Sequence, residues 1–187
     1  DNILKPFDFY ALKQNGNLYK IKPYEYPRRQ AADGMKLIPY LASKYNDRAE
    51  WEARRDTLRR EVRSLLGIDP LLAKCSDEKP LVSKLRKYDG YSVQNFCMKT
   101  VNGHTVKGSI YAPLSKGKHP LIVCPNGHFL NGRYGKVQQQ RLATLARMGA
   151  ICVDFDLWGW GESEDEVGAK AHHTAEAHQM QALNGIR

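Results

Sequence analysis

Two short apolar runs separated by a helix-like segment constrain the fold of this chain more than any other feature. The runs cover residues 121–124 and 151–154, and neither alternates between apolar and polar side chains. Continuous runs of this kind are typical of strands that are covered on both faces of a sheet. The segment at about 135–148 carries apolar residues at helical spacing and ends at Gly149. The order strand, helix, strand therefore predicts a right-handed parallel crossover.

A β-hairpin is predicted immediately before these runs. Residues 92–101 and 104–112 have strand-like patterns, and the dipeptide Asn102-Gly103 between them accepts the positive φ angles of a tight turn. Pro113 ends the second strand. An antiparallel hairpin followed by parallel βα units predicts an α/β architecture, in which a mixed sheet carries helices on both faces.

The first 90 residues are predicted to form an arm and a helix that pack on this domain. Residues 1–45 are rich in Tyr, Pro, Lys and Asn without a sustained period, which predicts an extended arm. Residues 47–66 carry one apolar stripe, with Gly67 and Pro70 as stop signals, which predicts a helix. Residues 91–187 are then the first part of the main domain and end in a helix-like segment at 171–187.

Composition and charge argue against several classes of protein. The formal charge of +9 is dispersed, because acidic residues alternate with the arginines of the 47–66 segment at helical spacing. We therefore expect no nucleic-acid partner. No apolar run approaches the ~20 residues that cross a bilayer, so we expect no membrane span. The four cysteines lack a CxxC pair or metal-ligand spacing, which predicts no disulfide framework but leaves one bridge open.

The loops that follow the two apolar runs are the places where chemistry is expected. In open α/β sheets, ligands bind beyond the carboxyl ends of the parallel strands. The first loop, at 125–135, contains two Asn-Gly pairs that can turn the backbone sharply and expose amide N–H groups. It also carries side chains suited to binding: His128, Phe129, Arg133 and Tyr134. Composition alone is equally consistent with an ordinary glycine-rich loop.

Two other interpretations of nearby motifs are weaker. Gly159-Trp-Gly161 follows a strand, as in a dinucleotide fingerprint, but Glu164 replaces the third glycine and Trp160 would obstruct a pyrophosphate. A metal site is suggested by a set of polar residues near the end of the chain: His172, His173, Glu176 and His178. HExxH is absent, so the N-terminus of a polar helix is the preferred interpretation, and we expect no metal and no cofactor.

The two loops and the helix between them resemble the α/β-hydrolase superfamily. The matching features occur in the same order: a Gly-His loop after the third strand, a helix that ends in Arg-Met-Gly149, and Asp-x-x-Gly-x-Gly-x-Ser163 after the fourth strand. Within that fold the chain resembles the acetyl xylan esterase and dienelactone hydrolase-like branch, particularly esterase-like proteins of polysaccharide-degrading bacteria. The resemblance covers about residues 45–187 and implies a periplasmic or secreted protein.

The resemblance also implies a reaction, the hydrolysis of a small-molecule or polysaccharide ester by a serine nucleophile, with carbohydrate deacetylation expected. A histidine acts as the base and an acidic residue orients it. One oxyanion donor comes from the loop after the third strand, and its counterpart here is the backbone N–H of His128, with Asn126 and Gly127 shaping the turn. Four residues are then expected to contact the substrate: Phe129, Arg133, Tyr134 and Trp158.

The chain departs from the family pattern at the nucleophile. No Gly-x-Ser-x-Gly occurs, since the segment around Ser163 lacks the closing glycine and Ser92 begins a strand. We therefore expect the triad beyond Arg187, in a C-terminal part of the same domain, and an inactive 187-residue chain. The alternative is a catalytically silent hydrolase-fold protein that binds carbohydrate or a partner, with aromatic residues such as Trp158 and Trp160 stacking on sugars.

Overall fold

The computed structural model describes residues 31–128 and 131–187. The chain divides into two compact units, Asp1–Asp56 and Thr57–Arg187. The predicted boundary at residue 90, between an N-terminal arm with its helix and the hydrolase domain, stays a prediction.

Helix α1, Ala31–Ala42, lies where the sequence predicted an extended arm, so that prediction is wrong for this stretch. The run consists largely of good helix formers such as Ala, Met, Lys and Leu. Pro39 inside it obscured the signal, because proline normally breaks a helix. The earlier part of the predicted arm, residues 1–30, lies outside the described residues.

Helix α2, Arg48–Leu65, confirms the helix predicted over 47–66. Its first turn is capped by Asp47, whose Oδ1 accepts a hydrogen bond from the backbone N–H of Glu50 at 2.9 Å. After the last turn, Gly67 adopts a φ of 59°, a left-handed conformation that is common at helix C-termini. A short helix α3 follows at Ile68–Leu72.

Six strands form one mixed sheet within the described residues. They are β1 (Leu81–Val82), β2 (Arg86–Tyr88), β3 (Tyr91–Lys99), β4 (Thr105–Pro113), β5 (Leu121–Val123) and β6 (Ile151–Phe155). The order across the sheet is β1-β3-β4-β6-β5, and β2 also pairs with β3. The short strands β1 and β2 lie between the predicted helix and the predicted hairpin, where no strand was predicted.

The predicted hairpin and parallel crossover are both confirmed. Strands β3 and β4 pair antiparallel around a turn in which Asn102 and Gly103 have φ angles of 57° and 80°. Strands β5 and β6 pair parallel, with Ile122 opposite Cys152. Helix α4, Lys136–Arg147, connects them. The carboxyl ends of β5 and β6 therefore lie side by side, and the two loops that follow them share one edge of the sheet.

The buried side chains of the second unit form two clusters. One packs α4 onto the sheet and contains Val93, Tyr111, Cys124, Leu142, Ala143, Ala146, Ala150 and Cys152. Two further helices follow β6: α5, Glu164–Val167, and α6, Ala175–Ile186. The other cluster lies around α3 and α6. It contains Ile68, Val101, Trp158, Ala177, Met180 and Leu183. These contacts fix the loops at the ends of β5 and β6.

Strand β5 is an edge strand of the described sheet. Its outer side chains Leu121 and Val123 are 63% and 48% exposed. They belong to an apolar surface around a depression of about 580 Å³ on the face opposite α4, to which Phe96, Val106 and Ile110 also contribute. The position of this strand agrees with the α/β-hydrolase order, in which a further strand lies beyond it.

No helix within the described ranges is both long and apolar enough to span a bilayer.

Candidate functional site

The loop after β5 is joined to the end of strand β6 by a partly buried hydrogen bond between Asn126 and Asp154. The Asn126 Nδ2 donates to Oδ1 of Asp154 at 2.6 Å and to the backbone oxygen of Phe155 at 3.3 Å. Asp154 is fully buried. This contact fixes the start of the first loop on the end of the neighbouring strand, as expected for a residue that shapes the turn.

The electrostatics of Asp154 favour a neutral carboxyl group. Burial raises the pKa of Asp154 to about 7, the Asp156 carboxylate adds to this, and Arg141 and Arg133 oppose it. Asp154 Oδ2 and Asn126 Oδ1 are buried without a hydrogen-bond partner among the described residues. A proton on the carboxyl group gives this pair a second donor, which an ionised carboxylate lacks.

The backbone N–H of His128 has no hydrogen-bond acceptor within residues 31–128 and 131–187. His128 lies in a bend directly after the extended residues that follow β5, and its side chain is exposed. An amide in this state can donate to a ligand without breaking a helix or ladder hydrogen bond. The role of this N–H as an oxyanion donor stays a prediction.

The imidazole of His128 lies between two aromatic side chains. Its Nε2 contacts Nε2 of His172, and its ring meets the Trp160 ring edge to face, with centroids 5.7 Å apart. His172 lies in the 3-10 helix Ala169–His173 and is buried. Sequence reasoning missed both partners, because His172 is 44 positions from His128 and nothing in the local pattern joins them.

Arg133 is buried in a network of hydrogen bonds and does not face an open pocket. Its Nε donates to Asp156 Oδ2 at 3.1 Å, and its Nη2 donates to the Tyr134 hydroxyl at 2.7 Å and to Glu162. The Tyr134 hydroxyl in turn donates to Glu162 Oε1 at 2.9 Å. Arg133 therefore holds the two loops together, a structural role that its predicted substrate contact did not include.

The charged groups of this network affect one another's titration. Burial alone would raise the pKa of Glu162, but hydrogen bonds from Arg133 and Tyr134 outweigh it, so the pKa is lowered. Burial raises the pKa of Asp156, and the Arg133 guanidinium opposes that change. The guanidinium of Arg133 therefore lies between the carboxyl groups of Asp156 and Glu162.

A cleft of about 540 Å³ opens beside this network. Its walls are Asn131, Tyr134, Trp160, Gly161 and Glu164. The volume lies within the usual range for small-ligand sites. Tyr134 lines this cleft, and its contact with a substrate stays a prediction, whereas Phe129 lies outside the described residues.

The structure buries Trp158, so Trp160 is the tryptophan beside the cleft. Trp158 is 3% exposed and packs in the cluster with Met180 and Leu183. Trp158 and Trp160 flank Gly159, which has a φ of 69°. Because the two tryptophans are two positions apart in an irregular loop, the sequence could not predict which of them is buried. The expected mouth formed by His128 and Trp158 is therefore formed by His128 and Trp160.

Close packing explains the two glycines of the second loop without a dinucleotide. A Cβ on Gly159 would lie 2.6 Å from the backbone nitrogen of His172, and one on Gly161 would lie 2.7 Å from Asp156 Oδ1. Both residues also have φ above 60°. The glycines therefore permit the second loop to close over Asp156.

Neither serine considered at the sequence level is an exposed nucleophile. Ser163 is buried, and its Oγ accepts a hydrogen bond from the Gly159 backbone N–H at 3.1 Å. Ser92 is buried within β3, where its hydroxyl donates to the Ala112 oxygen. Within the described residues no group of three or more His, Cys, Asp or Glu is arranged to hold a metal ion.

Comparison with solved structures identifies relatives of this fold. The chain is similar to Methylesterase BT1017, with 60% identity and a TM-score of 0.79, over 92% of this chain and 39% of that chain. A protein from Bacteroides fragilis that is described as an acetyl xylan esterase has 16% identity and a TM-score of 0.54, over 73% of this chain and 43% of that chain. No protein-family profile and no curated protein sequence matches.

The chain thus spans less than half the length of either relative. The more distant one supports the fold alone, through the same mixed sheet. The methylesterase adds 60% identity over almost all of this chain. With its hairpin, parallel crossover and glycine-rich loops in the order of that fold, the chain has the α/β-hydrolase fold and is similar to esterases of that fold over the part that it spans.

Proposed function

We propose that this chain is the oxyanion-binding part of a carboxylester hydrolase with a serine nucleophile. The observation that carries the proposal is the His128 amide, which lies in the loop after strand β5 and has no acceptor among the described residues. A preorganised donor at this position stabilises the negative charge that develops on the ester oxygen during attack. Such a donor is worth about 2.7–4 kcal/mol of transition-state stabilisation.

The nucleophile, the base and the acid belong, in this proposal, to sequence outside this chain. Gly-x-Ser-x-Gly is absent here, and the chain corresponds to 39% of its methylesterase relative. The exposed edge of β5 and the apolar surface beside it offer a place for the rest of the domain. Alone, the 187-residue chain is then expected to be inactive.

The ester is proposed to be carried by a carbohydrate, and the cleft beside Trp160 is proposed to hold a sugar unit. An aromatic ring at the wall suits the apolar face of a sugar, and Asn131 and Glu164 supply groups that can bind hydroxyls. The relative's name favours a methyl ester over the acetyl ester that the sequence resemblance suggested. Both esters pass through the same kind of tetrahedral oxyanion.

The test is an assay of the full-length protein, expressed from its complete reading frame, on a methyl-esterified uronic acid oligosaccharide and on an acetylated xylo-oligosaccharide. Release of methanol that a serine-directed inhibitor abolishes is the expected result. Release of acetate alone would correct the ester class. Hydrolysis of neither ester, by a protein that binds the oligosaccharides, would support the catalytically silent alternative. The periplasmic or secreted location is part of the same proposal and is tested by cell fractionation.

A further inference from the structure

His172, His128 and a main-chain carbonyl form a chain of hydrogen bonds with a defined direction. His172 Nδ1 lies 2.8 Å from the backbone oxygen of Trp158. A carbonyl oxygen can only accept, so Nδ1 of His172 carries a proton. The other nitrogen of that ring, Nε2, contacts Nε2 of His128.

This direction fixes the tautomer of His128 when both rings are neutral. A neutral His172 with its proton on Nδ1 has only a lone pair on Nε2. His128 must therefore donate its Nε2–H to His172. Because a neutral imidazole carries one N–H, Nδ1 of His128 is then an acceptor. This is the neutral arrangement that satisfies all of the contacts.

The acceptor nitrogen lies on an exposed ring beside the cleft. Within the described ranges no residue hydrogen-bonds to Nδ1 of His128, whereas Nε2 is taken by His172. Trp160, which lines the cleft, meets the ring of His128 edge to face. His128 thus offers a hydrogen-bond acceptor next to a surface that suits a sugar face.

We propose that Nδ1 of His128 accepts a hydrogen bond from a hydroxyl group of the substrate, and that His172 is the positioning residue that sets the required tautomer. The inference rests on the proposed function and deepens it. It makes the site selective for esters of polyhydroxylated compounds over simple alkyl or aryl esters. The side chain of His128 then serves specificity, while its backbone N–H serves the oxyanion.

The tautomers can be observed directly in the full-length protein labelled with ¹⁵N-histidine. Long-range ¹H–¹⁵N correlation spectra at pH 8 are expected to show a proton on Nε2 of His128 and on Nδ1 of His172. Variants His128→Phe and His172→Phe assign the signals. A proton on Nδ1 of His128 would overturn the inference, whatever the activity of the protein.

Selectivity is tested by comparing kcat/KM for the methyl ester of D-glucuronic acid with that for p-nitrophenyl acetate, which has no hydroxyl group. In His128→Phe and in His172→Phe, the ratio of the two values is expected to fall roughly threefold to tenfold, the worth of one hydrogen bond. His178→Phe makes the same replacement at an exposed helix position and should leave the ratio unchanged. Equal losses on both esters would overturn the inference.

Failure of the proposed esterase function can be distinguished from failure of the proposed hydrogen bond to His128. If the unmodified protein hydrolyses neither ester, the serine esterase proposal fails. The acceptor is then tested by adding the glucuronic acid methyl ester to the labelled protein. A shift of the His128 Nδ1 resonance that is absent in His172→Phe supports the hydrogen bond, and no shift overturns it.

Discussion

The guanidinium of Arg133 and the carboxylate of Asp156 form a buried ion pair, with Nε and Oδ2 3.1 Å apart and both side chains at most 2% exposed. The pair joins the loop after β5 to the loop after β6. A charge left alone in such a place is costly, because neither water nor a counterion can replace its partner. The pair therefore holds the two loops of the candidate site at a fixed separation.

Asp156→Asn is expected to destabilise the protein by roughly 3–5 kcal/mol, since it leaves the buried Arg133 guanidinium with only the partly exposed Glu162 as a charge partner. Glu162→Gln removes the other carboxylate of the network, but that side chain is 42% exposed, so at most about 1 kcal/mol is expected. Urea denaturation of both variants measures the difference. Equal losses would show that burial does not govern the strength of this network.

Asp154→Asn is expected to increase the free energy of unfolding most at high pH. The pKa of about 7 in the folded state lies above the ordinary ~4, so the native protein keeps a proton that the unfolded chain releases. The contribution of protonated Asp154 to the stability of the fold is therefore fully present below pH ~4 and is lost as the pH rises through about 7.

The measurement for Asp154 is the free energy of unfolding from pH 4 to pH 8, for the unmodified protein and for Asp154→Asn. The two proteins should have nearly equal free energies of unfolding at pH 4. At pH 8 the variant should be more stable by on the order of 3 kcal/mol. The Asn126 amide keeps an acceptor in the variant, so the hydrogen bond between the loops survives. A difference that does not change with pH would contradict the neutral form of Asp154.

Gly161→Ala is expected to cost more than Gly103→Ala, although both glycines have positive φ angles of 62° and 80°. The left-handed conformation costs an alanine roughly 1–2 kcal/mol at either position. At Gly161 the new Cβ would also lie 2.7 Å from Asp156 Oδ1, whereas at Gly103 it meets open space. Thermal denaturation compares the two variants, and a larger loss in Gly103→Ala would contradict the proposed closeness of the second loop to Asp156.

The edge of strand β5 is expected to make the isolated 187-residue chain associate. Exposed apolar strands at the edge of a sheet pair readily with other chains, and a lysine on such a strand opposes this. Leu121→Lys should therefore reduce association more than Val137→Lys, which changes an equally apolar and 76% exposed residue on helix α4. Light scattering measures the association of both variants and of the unmodified chain. A monomeric unmodified chain with inhibitor-sensitive esterase activity would contradict the proposed division of the domain and would restore Ser163 as a nucleophile candidate.

Strands that are apolar on both faces, and the Asn102-Gly103 turn, were predictable from the sequence because their signals are local. Periodicity and turn chemistry do not depend on the rest of the molecule. The short strands β1 and β2 were missed because two or three residues carry no period. Helix α1 was missed because a proline interrupts its sequence.

The candidate site was predictable in its location but only partly in its side chains. The loops follow from strand order, whereas the role of Asn126 in shaping the turn stays a prediction. The burial of Arg133 and Trp158 depends on partners that are distant in the sequence, such as Asp156 for Arg133 and Met180 for Trp158. The contact of His128 with His172 likewise arises from tertiary packing, which no local pattern encodes.

The central claim, that the His128 amide stabilises the oxyanion, is tested most directly by comparing His128→Pro with His128→Ala in the full-length protein. Proline removes the backbone N–H, whereas alanine removes only the imidazole. With p-nitrophenyl acetate, kcat of the proline variant is expected to be about 10²–10³-fold below that of the alanine variant. Circular dichroism and the melting temperature confirm that both variants are folded. Equal kcat values in two folded variants would contradict the account.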